Sequence, residues 1–212
     1  MPVVFWDVDT QVDFMHSSGK LYVPGAEAII PNLKRLTDYA HQHGIRIVAS
    51  ADDHVAGHKE LSSSPDFRET FPDHCMRGSA GQKKIPETAL KNPVVIEPEP
   101  RPADQVAKQV GRGGDVLLNK HWFDVFTNQN VEAVIAAIKP RTIVLYGVAT
   151  DVCNKYALEG LMSRHPEIRL FAVEDAMKAI DPDRQEHLLK EWGEEGVRIL
   201  STDEIIEDGI PA

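Results

Sequence analysis

The chain has 212 residues, with 23 Lys+Arg against 33 Asp+Glu for a formal net charge of −10, and 42% of it is hydrophobic, which excludes a disordered or fibrous protein and suits one domain, 1–212, with a sizeable core. The acidic balance argues against nucleic-acid or anionic-membrane partners, which need clustered Lys and Arg. No apolar run reaches the roughly 20 residues of a membrane helix, and no basic leader precedes the first hydrophobic segment, so a cytoplasmic protein acting on small molecules is expected.

Val3–Val8 reads as a buried strand that breaks at Asp9. Residues 26–43 carry a helical period through Ile29, Ile30, Leu33 and Leu36, closed by Gly44. Residues 45–51 form a second strand ending at Asp52-Asp53-His54. Residues 55–92 have little periodicity and read as a long functional loop with one short helix. A short strand over 93–96 precedes a helix over Ala103–Val110, and a strand over 115–119 runs into Lys120. After a helix over Val131–Ile138, strand 142–146 stops at Gly147 and helix 151–164 follows. Strand 169–173, helix 184–195, strand 197–200 and a terminal helix over 202–207 complete the chain. Alternation of this kind implies a parallel sheet covered on both faces, a three-layer α/β/α domain.

Ligand sites in such sheets lie beyond the carboxyl ends of the strands. Here those ends carry Asp9, then Asp52 and His54, then Lys120, then Gly147–Cys153. Cys153 falls in a strand-to-helix turn, where unsatisfied N–H groups and the helix dipole favour a thiolate and can hold an oxyanion; a buried structural cysteine is the competing reading. Asp9 suits a base and Lys120 a charge stabiliser, against the commoner roles of turn carboxylate and solvated lysine. Asp52, His54 and His74 offer oxygen and nitrogen ligands for zinc or another divalent transition metal, with His58 as a further ligand or a support. With nine histidines in the chain, chance clustering remains open. Cys75, next to His74, could ligate, but a buried neutral thiol is the expectation, and the two cysteines are read as separate thiols.

These residues resemble the isochorismatase-like cysteine hydrolases, and within them the nicotinamidase-like members. Asp9-Thr10-Gln11-Val12-Asp13-Phe14 is similar to the family's opening D-x-Q-x-D-F segment, Lys120 ends its lysine-bearing strand, and Gly147-Val148-Ala149-Thr150-Asp151-Val152-Cys153 is similar to its nucleophile segment. The resemblance implies a three-layer α/β/α fold on a mostly parallel, roughly six-stranded sheet. It implies Asp9, Lys120 and Cys153 as catalytic residues, a cis Val148–Ala149 peptide, and an oxyanion hole from the backbone N–H groups of Ala149 and Cys153. It also implies a divalent metal, zinc first with manganese or iron as alternatives, on Asp52, His54 and His74, where it would orient a pyridine ring between Phe14 and Phe71. The expected activity is hydrolysis of a small carboxamide, nicotinamide foremost, through a thioester, in a homo-oligomer; another small amide or imide is the alternative substrate. Two departures bear on the pocket. Phe71 stands where the family often has Trp, and Lys120 runs into His121-Trp122-Phe123-Asp124-Val125-Phe126 instead of a glycine and an Asp/Ser-rich loop.

Asp7-Val8-Asp9-Thr10 also fits the D-x-D-x-T pattern of haloacid-dehalogenase-like phosphatases, with Asp7 as nucleophile, Asp9 as acid/base and magnesium as cofactor. That reading leaves Cys153 and the histidines idle. Neither G-x-G-x-x-G nor a P-loop is present.

Overall fold

Strands flanked by apolar residues on both sides belong inside a parallel sheet, and the central strands here are buried along almost their whole length. The computed structural model describes residues 2–210. Its strands are β1 (Val3–Val8), β2 (Arg46–Asp52), β3 (Val94–Ile96), β4 (Val116–Lys120), β5 (Thr142–Val148), β6 (Arg169–Lys178) and β7 (Arg198–Leu200). They form one 7-stranded sheet in the order β3-β4-β2-β1-β5-β6-β7, every pair parallel. The count exceeds the roughly six expected because the three-residue edge strands β3 and β7 both pair.

Helices cover both faces. Short α1 (Val12–Met15) and α2 (Ile30–Gln42) pack Phe14, Met15, Leu33, Leu36 and Ala40 against Phe5, Ile47, Ala49, Val144 and Phe171. On the other face α3 (Ala103–Val110), α4 (Val131–Ile138), α5 (Lys155–Arg164) and α6 (Pro182–Glu194) place Val106, Val134, Leu158, Leu161 and Trp192 over Trp6, Val48, Leu118 and Leu145. Burying each such aliphatic side chain contributes about 1.5–3 kcal/mol.

The strand order reverses at β1, which lies between β2 and β5, so the crevice at their carboxyl ends is the topological switch point. Backbones approach closely there. A Cβ on Gly147, at φ 120°, would stand 2.1 Å from the Val8 carbonyl oxygen. Strand β6 outruns the expected 169–173. Its register against β5 shifts between Leu145 and Gly147, and pairing then resumes at Met177 and Lys178, beside the turn that carries Cys153.

Candidate active site and metal centre

Beyond Val8 the chain turns aside through Asp9, whose φ of 49° is in the left-handed region that Asp tolerates better than most residues. The turn leaves the Asp9 carboxylate fully buried, with Oδ1 accepting a 2.6 Å hydrogen bond from Ser50 Oγ on β2. Lys120, at the end of β4, is also fully buried. Its Nζ lies 2.9 Å from Asp9 Oδ2, in contact with Asp52 Oδ1, and 3.7 Å from Cys153 Sγ. Asp9 Oδ2 has no partner in hydrogen-bond geometry and keeps a lone pair available.

Cys153 lies in a π-helical turn, Thr150–Asn154, between the cis Val148–Ala149 peptide and α5. Two side chains tether the turn: Asp151 accepts the backbone N–H groups of Ile180 and Asp181, and Asn154 Nδ2 donates to the Gly147 carbonyl. The thiolate expected from the helix start is opposed by burial, which pushes the Cys153 thiol well up. Lys120 pulls it back, while Asp9 and Asp52 push it further. Burial likewise raises Asp9 despite Lys120. For Lys120 itself burial works against the ammonium, but Asp52 and Asp9 outweigh it and lift it well above its ordinary value. The trio is therefore a buried ammonium beside a carboxyl and a thiol whose proton affinities burial raises.

Lys120 is also the hinge to a second group. Asp52, His54, Glu60 and His74, all buried, offer ligand atoms within 4.8 Å of one another. His74 Nε2 lies 3.5 Å from both Asp52 Oδ2 and Glu60 Oε1, and His54 Nε2 lies 3.9 Å from both. His54 Nε2, His74 Nε2 and Glu60 Oε2 are buried without hydrogen-bond partners, an expensive state that a cation between them would relieve. Two imidazoles and two carboxylates fit zinc, manganese or iron. The electrostatics agree. His74 resists its burial and is drawn up to about 10 by Asp52 and Glu60, while burial holds His54 down at about 4, so the two acids favour positive charge between the imidazoles.

The sequence reading named Asp52, His54 and His74, and the structure brings them together. It missed Glu60, which the pairing of its loop with Phe71 carries inward: Phe71 N–H donates to the Glu60 carbonyl and Ser62 N–H to the Phe71 carbonyl. His58 lies outside the ligand group. Its Nδ1 is 3.2 Å from His54 Nδ1 and its ring lies 4.2 Å from that of His121, so it holds the face of His54 remote from the cluster. His58→Ala is expected to weaken metal binding about 10–100-fold while the fold persists, read by titration against a chromophoric chelator. Cys75 does not ligate. Its thiol is buried 3.9 Å from the Gly81 carbonyl, and its N–H donates to Asp13.

The opening motif works as one unit. Gln11 Oε1 accepts the Asp52 N–H and its Nε2 donates to the Asp52 and Gln82 carbonyls, while Asp13 accepts the N–H groups of Lys20 and Cys75. Both the acid of β1 and the ligand of β2 are thereby fixed to the loop bearing His74.

A cavity of about 220 Å³ joins the two groups, touching Cys153, Asp52, Glu60 and His74. Phe14 and Phe71 line it as expected, with their rings 5.4 and 6.3 Å from that of His74. Phe123, from the unusual segment after Lys120, forms another wall, as do Phe67 and Ile180, which carried no signal in the sequence. None of the described lining residues is Lys or Arg. Asp7 is not among them. It is buried against Lys84 Nζ at 2.8 Å and Thr10 Oγ1 at 2.9 Å, which denies it the phosphoryl-acceptor role of the phosphatase alternative. Among the described residues no helix is long and apolar enough to cross a membrane.

The chain is 26% identical over 166 residues to the ureidoacrylate amidohydrolase RutB of Rhizobium rhizogenes, covering 76% of this chain and 62% of that protein, so it spans less than two thirds of that relative's length. It is 29% identical over 158 residues to the nicotinamidase/pyrazinamidase of Mycobacterium tuberculosis, covering 72% and 74%. In fold it is similar to the pyrazinamidase of Pyrococcus horikoshii in complex with zinc, with a TM-score of 0.70 and 22% identity over 95% of this chain and 99% of that one. The isochorismatase domain matches residues 4–204, and the chain belongs to the isochorismatase family of hydrolases.

Proposed function

We propose that the protein hydrolyses a small uncharged carboxamide, nicotinamide foremost, to the carboxylate and ammonia. The observation that carries this reading is Lys120, whose Nζ touches Asp9, Asp52 and Cys153 together and so links the proposed nucleophile, base and metal cluster through one buried ammonium. Asp9 Oδ2 takes the proton of Cys153 Sγ, and sulfur attacks the carboxamide carbon, forming the C–S bond as the carbonyl electrons move to oxygen. The N–H groups of Ala149 and Cys153 receive that oxyanion. Asp9 returns the proton to nitrogen as the C–N bond breaks and ammonia leaves; water deprotonated by Asp9 then attacks the thioester carbon, and the C–S bond breaks as that proton passes back to Cys153 Sγ. Lys120 keeps its charge throughout and offsets the negative charge that passes between sulfur, oxygen and Asp9. A divalent metal held by Asp52, His54, Glu60 and His74 would supply a Lewis-acidic anchor for a ring nitrogen, with Phe14 and Phe71 on the ring.

The cavity lining favours a neutral substrate. Ureidoacrylate is a carboxylate, and no Lys or Arg is among the described lining residues to pair with it. The test is ammonia release from nicotinamide and from ureidoacrylate by metal-loaded protein. Turnover of ureidoacrylate alone would overturn the reading. The kcat/KM profile is expected to fall on acidification along a limb above the ordinary carboxylate range, because burial raises Asp9 and only its ionised form accepts the proton. Ser50→Ala, which removes a hydrogen bond favouring that ionised form, should move the limb further up.

A further inference from the structure

The turn over residues 66–70 is tightly built, yet what it presents is a bare phenyl ring. Asp66 Oδ1 accepts the N–H groups of Arg68, Glu69 and Thr70, each at 2.9 Å, and the Thr70 hydroxyl at 3.0 Å. Phe67 N–H donates to the Thr70 carbonyl at 3.0 Å, which holds Phe67 at φ 55°, a conformation bulky residues rarely adopt. The ring is 64% exposed and meets Phe71 only edge-on, with centroids 6.4 Å apart. It nevertheless lines the same cavity as Cys153, as does Ile180, itself 43% exposed. Ile180 is fixed too, since its N–H donates to Asp151 in the nucleophile turn.

A single pyridine carboxamide is accounted for by the inner walls: carbonyl at Cys153, ring edge at the metal cluster, ring faces at Phe14 and Phe71, which are 6% and 4% exposed. Phe67 and Ile180 are additional to those contacts and lie at the open end. A side chain whose backbone is already fixed gives up less freedom when a ligand packs on it, which helps a subsite gain affinity. We propose that Phe67 and Ile180 form an outer apolar subsite that selects uncharged carboxamides carrying a second ring or a comparable apolar group beyond the one seated at the metal. This rests on amide hydrolysis at Cys153 and names the substrate class more narrowly.

The experiment compares nicotinamide with 5-phenyl- and 6-phenylnicotinamide as substrates of the metal-loaded full chain and its Phe67→Ala and Phe67→Leu variants. The wild type should favour at least one phenyl amide about tenfold in kcat/KM, within the range one apolar contact supplies. Phe67→Ala should raise KM for the phenyl amides about tenfold more than for nicotinamide and so erase that preference, and Phe67→Leu should restore part of it. Equal or poorer turnover of both phenyl amides by the wild type overturns the subsite. So does an equal loss for all three amides in Phe67→Ala, or a changed sedimentation coefficient with unchanged preference, which would show the ring covered by a second copy. Calorimetric binding to the Cys153→Ala protein separates this proposal from the chemistry beneath it. Tighter binding of a phenyl amide there, lost on adding Phe67→Ala, supports the subsite even if no amide is hydrolysed.

Discussion

Replacing Cys153 with alanine is expected to lower kcat by at least about 10⁴-fold, the scale on which hydrolases lose turnover when their nucleophile is removed. The substitution deletes one sulfur from a buried position and leaves the surrounding charges paired, since Lys120 retains Asp9 and Asp52. The residues that would hold a metal come from the end of β2 and the loop after it, so any metal content should equal that of the wild type. Ammonia release and metal analysis on the same sample check both halves. Undiminished turnover in Cys153→Ala would sink the thioester mechanism. Loss of metal together with turnover would instead place Cys153 among the groups that hold the cluster together.

The largest effect on stability is expected at Lys120. Removing one partner of a buried ion pair leaves the other charge uncompensated, at a cost of about 3–5 kcal/mol, and here two carboxylates depend on one ammonium. Lys120→Met keeps the volume and should cost that much by chemical denaturation, with turnover abolished. The sign of its pH dependence follows from the same charges. Burial already raises Asp9 with Lys120 present, and losing the cation raises it further, so the folded variant binds protons the unfolded chain has released. The contribution of Asp9 to its stability is therefore fully present below the unfolded carboxylate value and is lost as pH rises through the folded one. Adding Asp9→Asn to Lys120→Met should recover part of the loss at neutral pH. Additive costs in the double variant would mean that Lys120 acts by packing rather than by charge.

The fold was legible because its interior strands are short apolar runs ending in polar residues, and the interval between them holds a helical period. The sequence also showed that Asp9, Asp52, His54, Lys120 and Cys153 share one edge, since each ends a strand of the same sheet or closely follows one. Tertiary pairing hid the rest. Glu60 follows Lys59 in a segment without periodicity, and it is the backbone pairing with Phe71 that turns it inward. His58 resembles a ligand by composition, but its Nδ1 faces the remote nitrogen of His54. Strand β6 extends beyond the expected 169–173 because the register shift against β5 carries it past Glu174 and Asp175. The terminal helix expected over 202–207 is a single π-helical turn, Glu204–Asp208, preceded by one helical step.

The amide of Gln11 has a mechanical consequence. The ladder between β1 and β2 ends at Val8 and Ser50, because the backbone leaves the sheet at Asp9. Gln11 then presents an amide side chain to both the N–H and the carbonyl of Asp52, as a backbone residue of a continuing strand would. The side chain thus substitutes for the missing rung. Main-chain directionality is given up for a single step so that a carboxylate can point into the crevice, while the two strands stay stitched on either side of the gap. Acid and metal ligand are thereby gauged from a common datum, and thermal fluctuations of the strand ends move them together rather than apart.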